Sequence, residues 1–150
     1  MSSYFFACSY PLEPGSIVKA GNWGRMIKSY SPQAGAPWIL LREMAYEEIR
    51  EKEFPNKPSR FESIFLCSSL DGVSSFIRDN NRQFDIAYEV ELVDPSAAHH
   101  EGCLNNPVVM NEDNYSTLMD KARAYWGAEG VQNPEFLTLS SVRIVREIKI

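Results

Sequence analysis

The sequence has few of the residues that organise disulfide-rich or metal-binding proteins. Its three cysteines, Cys8, Cys67 and Cys103, show no CxxC spacing, so neither a disulfide framework nor a zinc ribbon is indicated. Its two histidines, His99 and His100, are adjacent. Adjacent side chains rarely point at one ion, so we expect a solvated loop here, no metal site and no His-dependent triad.

Long apolar runs and common nucleotide motifs are also missing. No stretch approaches the ~20 apolar residues that span a bilayer. The first six residues lack the basic and apolar regions of a signal peptide, so no targeting segment or membrane association is expected. The sequence contains no GxGxxG, Walker or GxSxG pattern. Free thiols within apolar runs suit a reducing compartment, and we therefore expect a cytoplasmic protein.

The composition is that of one globular domain over residues 1–150. Hydrophobic residues make up 44% and charged residues 23% of the 150 residues. Aromatic residues reach 12%, which suits a thick core or a cleft that stacks planar ligands. The net charge of −5 argues against extensive nucleic-acid binding, but a local basic pocket with Arg25, Lys57 and Arg60 stays possible.

Hydrophobic periodicity and turn residues predict the order β-α-β-α-β-α-β-β, an α+β fold with about three helices. The predicted strands cover residues 4–9, 63–67, 84–93, 135–139 and 142–150. The predicted helices cover residues 37–54, 70–79 with Ser69 as its cap, and 113 or 114 to 126. Residues 21–25 and 96–111 are predicted as loops, and the acidic helix 43–53 as a solvated face.

Two stretches, residues 21–25 and 58–65, suggest a ligand site. Residues 21–25 combine two glycines, which allow close backbone approach, with the stacking face of Trp23 and the guanidinium of Arg25. A turn with one anchoring tryptophan explains them equally well. Residues 58–65 place hydroxyls and Arg60 just before a buried strand, where clefts often form, although an ordinary loop-to-strand junction fits too.

Glu135 is the third candidate, because it stands where a late strand begins. A carboxylate there can accept a hydrogen bond from a sugar hydroxyl and stabilise a cationic sugar centre as a leaving group departs. By itself, a glutamate at the start of a strand is more often solvated.

Four runs together resemble a known family: Leu12-x-Pro14-Gly15, Gly21-Asn22-Trp23-Gly24-Arg25, Phe54-Pro55-x-x-Pro58-Ser59-Arg60 and Tyr88-Glu89-Val90-Glu91-Leu92. The chain resembles DUF2441, a small bacterial family associated with the ADP-ribosyltransferase superfamily. The resemblance implies a small split β-sheet core and a transferase that uses NAD as substrate, without a metal.

The resemblance also assigns roles to residues. In the superfamily plan, a first strand holds the NAD ribose through a histidine or arginine. A middle strand-and-helix unit lies near the nicotinamide, and here it corresponds to residues 63–77. A late strand carries the catalytic glutamate, here Glu135. The implied NAD-binding residues lie on the early loops and the first strands: Ser9, Trp23, Arg25, Arg60, Phe61, Ser63 and Tyr88.

Two departures from that plan leave alternatives open. Phe6, Ala7 and Cys8 supply no histidine or arginine on the first strand, so Arg25 or Ser9 takes that role or the activity is lost. Asn133 precedes Glu135 by two residues, so the Glu-x-Glu form of arginine-directed transferases is absent. The acceptor stays open among protein, nucleic acid, small molecule and water. The alternative function is a non-catalytic nucleotide- or protein-binding module.

Overall fold

The computed structural model describes residues 3–31, 37–102, 111–127 and 135–150. Within them it contains seven strands and four helices. In chain order these are β1 (Tyr4–Cys8), β2 (Ile17–Val18), α1 (Asn22–Ile27), α2 (Pro37–Glu53), β3 (Ile64–Cys67), α3 (Leu70–Asp79), β4 (Ile86–Leu92), β5 (His99–Gly102), α4 (Tyr115–Trp126), β6 (Glu135–Thr138) and β7 (Val142–Ile148). The predicted α+β class is confirmed.

All seven strands form one antiparallel sheet in the order β2-β7-β4-β1-β3-β6-β5. The first strand of the chain therefore lies in the middle, between β4 and β3. β6 pairs with β3 and places Glu135 opposite Cys67. On its other side, β6 pairs with the edge strand β5, so that Gly102 also lies opposite Glu135.

The two faces of the sheet bury separate cores. One face packs α2 and α4 against Leu137, with Phe65 at its border. On the opposite face, Tyr88 and Phe136 are buried together with residues of the segment that follows β1. Because side chains alternate along a strand, Glu135 shares the helix-covered face with Leu137, two residues along.

The long predicted elements match the structure, and the caps confirm two of their starts. The Ser69 side chain accepts a hydrogen bond from the Gly72 amide at the start of α3, and Asn114 forms a capping box with Thr117 at the start of α4. None of the described helices has the length and hydrophobicity of a bilayer-spanning segment.

Two loop predictions were wrong. Residues 22–27 form the short helix α1, which begins after Gly21 at a positive φ of 106°. A Cβ on Gly24 would lie 1.9 Å from the backbone oxygen of Phe61, so only glycine lets α1 pack this closely. Residues 99–102 form β5, because they pair with β6 along their whole length. The rest of that predicted loop, residues 103–110, lies outside the described residues.

Candidate functional site

A buried ion-pair cluster surrounds Arg60, which is only 3% exposed. Its Nε donates to Glu43 Oε2 at 2.8 Å, and its Nη2 donates to Glu43 Oε1 at 2.9 Å. Its Nη1 donates to Glu135 Oε1 at 2.6 Å and to Tyr125 Oη at 2.7 Å. We call Arg60, Glu43, Tyr125 and Glu135 the Arg60 cluster.

Four elements bring the Arg60 cluster together. Glu43 lies on the buried stripe of α2, three residues before Tyr46, and Tyr125 comes from the last turn of α4. Glu135 is the first residue of β6. Arg60 comes from the loop before β3, which is fixed because Ser59 Oγ donates to Glu47 Oε2 at 2.8 Å.

Aromatic rings enclose the guanidinium of Arg60. Its Cζ lies 4.7 Å from the ring centre of Phe65, 5.1 Å from that of Tyr125 and 5.6 Å from that of Tyr46. Such contacts attract a cation to the electron-rich ring face. The rings and the carboxylates together hold Arg60 in one orientation.

The electrostatics of the Arg60 cluster favour its charged form. Burial alone would lower the pKa of Arg60, but neighbouring Tyr125, Glu135 and Glu43 raise that pKa well above its ordinary value. Burial would raise the pKa of Glu43, but the charge of Arg60 and its hydrogen bonds bring that pKa below the ordinary value. Arg60 and Glu43 therefore form an ionised buried pair at neutral pH.

Glu135 is the part of the Arg60 cluster that solvent reaches, with 16% of its side-chain surface exposed. Arg60 and Tyr125 both donate to Oε1, Tyr125 at 3.0 Å. Within the described residues, Oε2 accepts no hydrogen bond. One oxygen is thus fixed by the protein, and within the described residues the other keeps its capacity to accept a hydrogen bond.

Glu135 belongs to a row of paired residues that crosses four strands. Phe5 of β1 pairs with Cys67 of β3, which pairs with Glu135 of β6 and through it with Gly102 of β5. Residues paired in this way lie on one face of the sheet. We call Phe5, Cys67, Glu135 and Gly102 the Glu135 row. A Cβ on Gly102 would lie 2.5 Å from the ring of Tyr125, so glycine leaves room for that ring beside Glu135.

The thiol of Cys67 is uncharged at neutral pH, so Glu135 is the charged member of the Glu135 row. Burial, with a contribution from the charge of Glu135, raises the pKa of Cys67 to about 11. The thiol is therefore protonated at neutral pH and is a poor nucleophile. Among the described residues, no group of three or more His, Cys, Asp or Glu side chains is arranged to hold a metal ion.

Of the residues predicted for the site, Trp23 and Arg60 are linked to Glu135. Half-buried Trp23 donates from Nε1 to Glu43 Oε1 at 3.1 Å, and its ring meets Phe65 edge-on, with 6.5 Å between ring centres. The Arg60 cluster thus extends through Glu43 to α1.

Phe61 and Ser63 serve the loop before β3. The Phe61 ring lies under the Lys28 ammonium, which is 5.9 Å from its centre. Ser63 is fully buried and donates from Oγ to the Ser59 carbonyl at 2.7 Å. These contacts position the loop that carries Arg60.

In the described part of the chain, no hydrogen bond or ion pair joins Ser9, Arg25 or Tyr88 to the Arg60 cluster. Ser9 is exposed just after β1. Arg25 is exposed and bonds to Asn22. Tyr88 is buried on the opposite face of the sheet.

A sequence comparison covers most of the chain. The model of a family described as "Protein of unknown function (DUF2441)" matches residues 20–150. The chain belongs to the DUF2441 family. No curated protein matches the sequence significantly.

Two residues of the site were missed in this DUF2441 sequence. The acidic part of α2 was predicted to be solvated, which is wrong for Glu43, since that residue is 1% exposed. Its spacing of three from Tyr46 places it beside a buried residue on the same helix face and is the signal that could have found it. Tyr125 was assigned to the apolar side of its helix, but no sequence pattern indicated that its hydroxyl binds Arg60 and Glu135.

The histidine prediction was half wrong. His99 is exposed, but His100 is 1% exposed, and its Nε2 lies 3.0 Å from the Tyr125 carbonyl. Its Nδ1 has no partner within the described residues, which fits a neutral ring that donates from Nε2. Burial lowers the pKa of His100 to about 4, with smaller contributions from the charges of Lys57, Arg60 and His99, against the opposing hydrogen bond to Tyr125.

We expect His100 to make the stability of the DUF2441 fold depend on pH. Between pH 6.5 and 4 the unfolded chain binds a proton at this position and the folded chain does not, so the free energy of unfolding falls as the pH falls. We expect this residue to account for a loss of about 3 kcal/mol over that window. Urea unfolding at several pH values measures it. His100→Gln should flatten the pH dependence, His99→Gln should change it only slightly, and an equally steep loss in His100→Gln would contradict the assignment.

Proposed function

We propose that this DUF2441 protein is an ADP-ribosyltransferase-like enzyme that cleaves the bond between nicotinamide and ribose in NAD, with Glu135 as its catalytic carboxylate. The observation that carries the proposal is the asymmetry of Glu135. Oε1 is fixed by Arg60 and Tyr125, while Oε2 accepts no hydrogen bond from the described residues and lies in a partly exposed row.

The order of the strands supports the proposal, although the described strands form one sheet and do not show the split core that the resemblance implies. In the superfamily plan the site is shared by the first strand, the middle strand-and-helix unit and the late strand. The corresponding strands β1, β3 and β6 are neighbours in the sheet, and the Glu135 row crosses all three. The middle unit has the expected form, since β3 leads through the capped turn at Ser69 into α3.

In the proposed reaction Glu135 acts through its free oxygen. Oε2 accepts a hydrogen bond from a ribose hydroxyl, and the carboxylate charge stabilises the positive charge that develops on the ribose as the glycosidic bond breaks. The bonding electron pair leaves with nicotinamide, which departs as a neutral base. A lone pair of the acceptor, or of water, forms the new bond to the ribose carbon, and the acceptor's proton passes to solvent. Arg60 and Tyr125 are positioning residues, since they fix Oε1 and so aim Oε2.

The contacts of the other proposed NAD-binding residues suggest a different role for each. Trp23 borders the Arg60 cluster, so we assign it the stacking face. Arg60 donates to Glu43, Tyr125 and Glu135, so the proposed phosphate contact falls to Arg25, which is exposed. Phe61, Ser63 and Tyr88 support the loops around the site, and Ser9 remains the proposed ribose contact after β1.

Transfer of a label from NAD tests the proposal and searches for the acceptor. Purified protein is incubated with NAD labelled in its adenosine part and with a cell lysate. We expect wild type and Glu101→Gln, a matched change of an exposed carboxylate on β5, to label an acceptor, and Glu135→Gln to label none. Equal labelling by Glu135→Gln would reject its catalytic role.

A second function is a non-catalytic nucleotide- or protein-binding module on the same scaffold. One observation favours it: Phe5 is the residue that β1 contributes to the Glu135 row, and its ring offers no hydrogen bond to a ribose. This alternative predicts that NAD binds without release of nicotinamide, or does not bind at all. Nicotinamide release by wild-type protein excludes it.

A further inference from the structure

Some basic side chains of this acidic chain form ion pairs and others do not. Most of them form ion pairs with glutamate or aspartate. Within the described part of the chain, the ones without an ion pair are Lys19, Arg25, Lys28 and Lys57. Three of these four come from residues 19–28. In a chain with a net charge of −5, this segment is a local excess of uncompensated positive charge.

Two of these cations line an open groove. The groove has a volume of about 460 Å³ and lies between the segment that follows β1 and the start of α1. Lys19, Arg25 and Asn22 form its polar part, and Tyr10, Leu12 and Val18 form its apolar part. Such a combination suits a ligand with a charged end and a flat apolar end.

The walls of the groove are held in place before any ligand arrives. On one side, the buried Tyr88 hydroxyl accepts from the Leu12 amide at 2.8 Å and donates to the Tyr10 carbonyl at 3.2 Å. On the other side, the Gly21 amide donates to the Ser63 carbonyl at 3.1 Å. The close packing of Gly24 on Phe61 holds α1 in place on the same side. A groove with fixed walls loses little conformational entropy when it binds a ligand.

Arg25 is already oriented but not neutralised. Its Nε and Nη2 donate to Asn22 Oδ1 at 3.0 and 2.8 Å, and this amide oxygen carries no net charge. The guanidinium therefore keeps its full charge and its outer donors, which suit two oxygens of a phosphate. Lys19 is exposed at the same groove and adds a second positive charge.

We propose that this groove binds the phosphate end of a small nucleotide, with Lys19 and Arg25 on the phosphate and the Tyr10 ring beside the base. The Tyr10 ring is free to stack, since the residue is 54% exposed while its carbonyl is anchored by Tyr88. The few cations and the net charge of −5 match one or two phosphates better than a nucleic-acid backbone. The inference deepens the proposed phosphate contact of Arg25, but it is argued from the groove itself and needs neither Glu135 nor NAD cleavage.

Calorimetric titration with ADP, adenosine and a single-stranded oligonucleotide at low ionic strength tests the proposal. We expect ADP to bind at least about tenfold more tightly than adenosine, because a charge-assisted phosphate contact is lost without the phosphates. Lys19→Ala/Arg25→Ala should weaken ADP binding by at least about tenfold and leave adenosine binding unchanged. Both residues are exposed, so their replacement should preserve the fold. Added salt should weaken the binding of ADP but not that of adenosine.

Two further variants separate this proposal from the proposed function. Lys57→Ala removes the unpaired cation that lies outside residues 19–28, and Glu135→Gln removes the proposed catalytic charge; both should bind ADP like wild type. Equal affinity for ADP and adenosine, no ADP binding, or an equal loss in Lys57→Ala would overturn the proposal. Tighter binding of the oligonucleotide than of ADP would also overturn it. If Glu135→Gln loses nicotinamide release but still binds ADP, the result bears on the proposed catalytic role of Glu135 and not on the groove.

Discussion

Arg60→Leu is expected to lower the free energy of unfolding by about 3–5 kcal/mol, because it leaves a buried carboxylate without its main partner. Glu43 is 1% exposed, and in the variant it retains only Trp23 Nε1 and the Arg42 guanidinium as hydrogen-bond donors among the described residues. Urea unfolding at pH 7 measures the loss. For a chain of this length, it corresponds to a fall in melting temperature of about 10 °C.

Two controls separate the buried charge from a general effect of losing an arginine. Arg78→Leu removes an exposed arginine that pairs with Asp79, and should change stability little. Arg60→Leu/Glu43→Leu removes both buried charges and should recover part of the stability lost in Arg60→Leu. An Arg60→Leu protein as stable as wild type would show that the Arg60 cluster does not stabilise the fold.

Glu135→Gln is expected to lower the turnover number for nicotinamide release by about 100-fold or more while leaving KM almost unchanged. Glutamine keeps an oxygen that can accept from Arg60 and Tyr125, and it replaces Oε2 by a neutral amide. The variant thus preserves the contacts that hold the side chain but lacks the charge that stabilises the developing cation. Steady-state kinetics with purified protein measures both constants, and thermal unfolding checks that the fold is intact.

Tyr125→Phe is the companion to that variant. It removes the hydroxyl that donates to Glu135 Oε1 and leaves the carboxylate and its contact with Arg60. We expect its turnover to lie between those of wild type and Glu135→Gln. If Tyr125→Phe lost as much turnover as Glu135→Gln, the hydroxyl would be as necessary as the carboxylate charge, and the assignment of Tyr125 as a positioning residue would be wrong.

Local sequence patterns predicted most of the elements because their signals are local. The alternation along residues 86–92 and the caps Ser69 and Asn114 each depend on residues a few positions apart. The helix α1 was not predicted because it has only six residues and no side-chain cap. The two glycines of residues 21–25 therefore indicated a loop. The strand β5 was not predicted because His99–Gly102 lacks β-branched residues. Its strand conformation depends on pairing with β6, which local sequence does not show.

Half of the Arg60 cluster was predicted from the sequence, but none of its contacts was. Arg60 and Glu135 were both candidates, yet they are 75 positions apart, and only the pairing of β3 with β6 brings them within hydrogen-bond distance. That Arg60 is buried could not be predicted either, because its burial depends on α2 and α4 packing over it. Asn133 and Pro134, which precede Glu135, lie outside the described residues.

The most direct measurement is the release of nicotinamide from NAD by purified protein alone, with water as the acceptor, for wild type and Glu135→Gln side by side. The proposed function predicts release in proportion to the amount of wild-type protein, and almost none from a folded Glu135→Gln. Release at the same rate from both proteins would contradict the role of Glu135. No release by wild type with NAD bound, either with water alone or with the cell lysate added, would show a binding module instead of an enzyme.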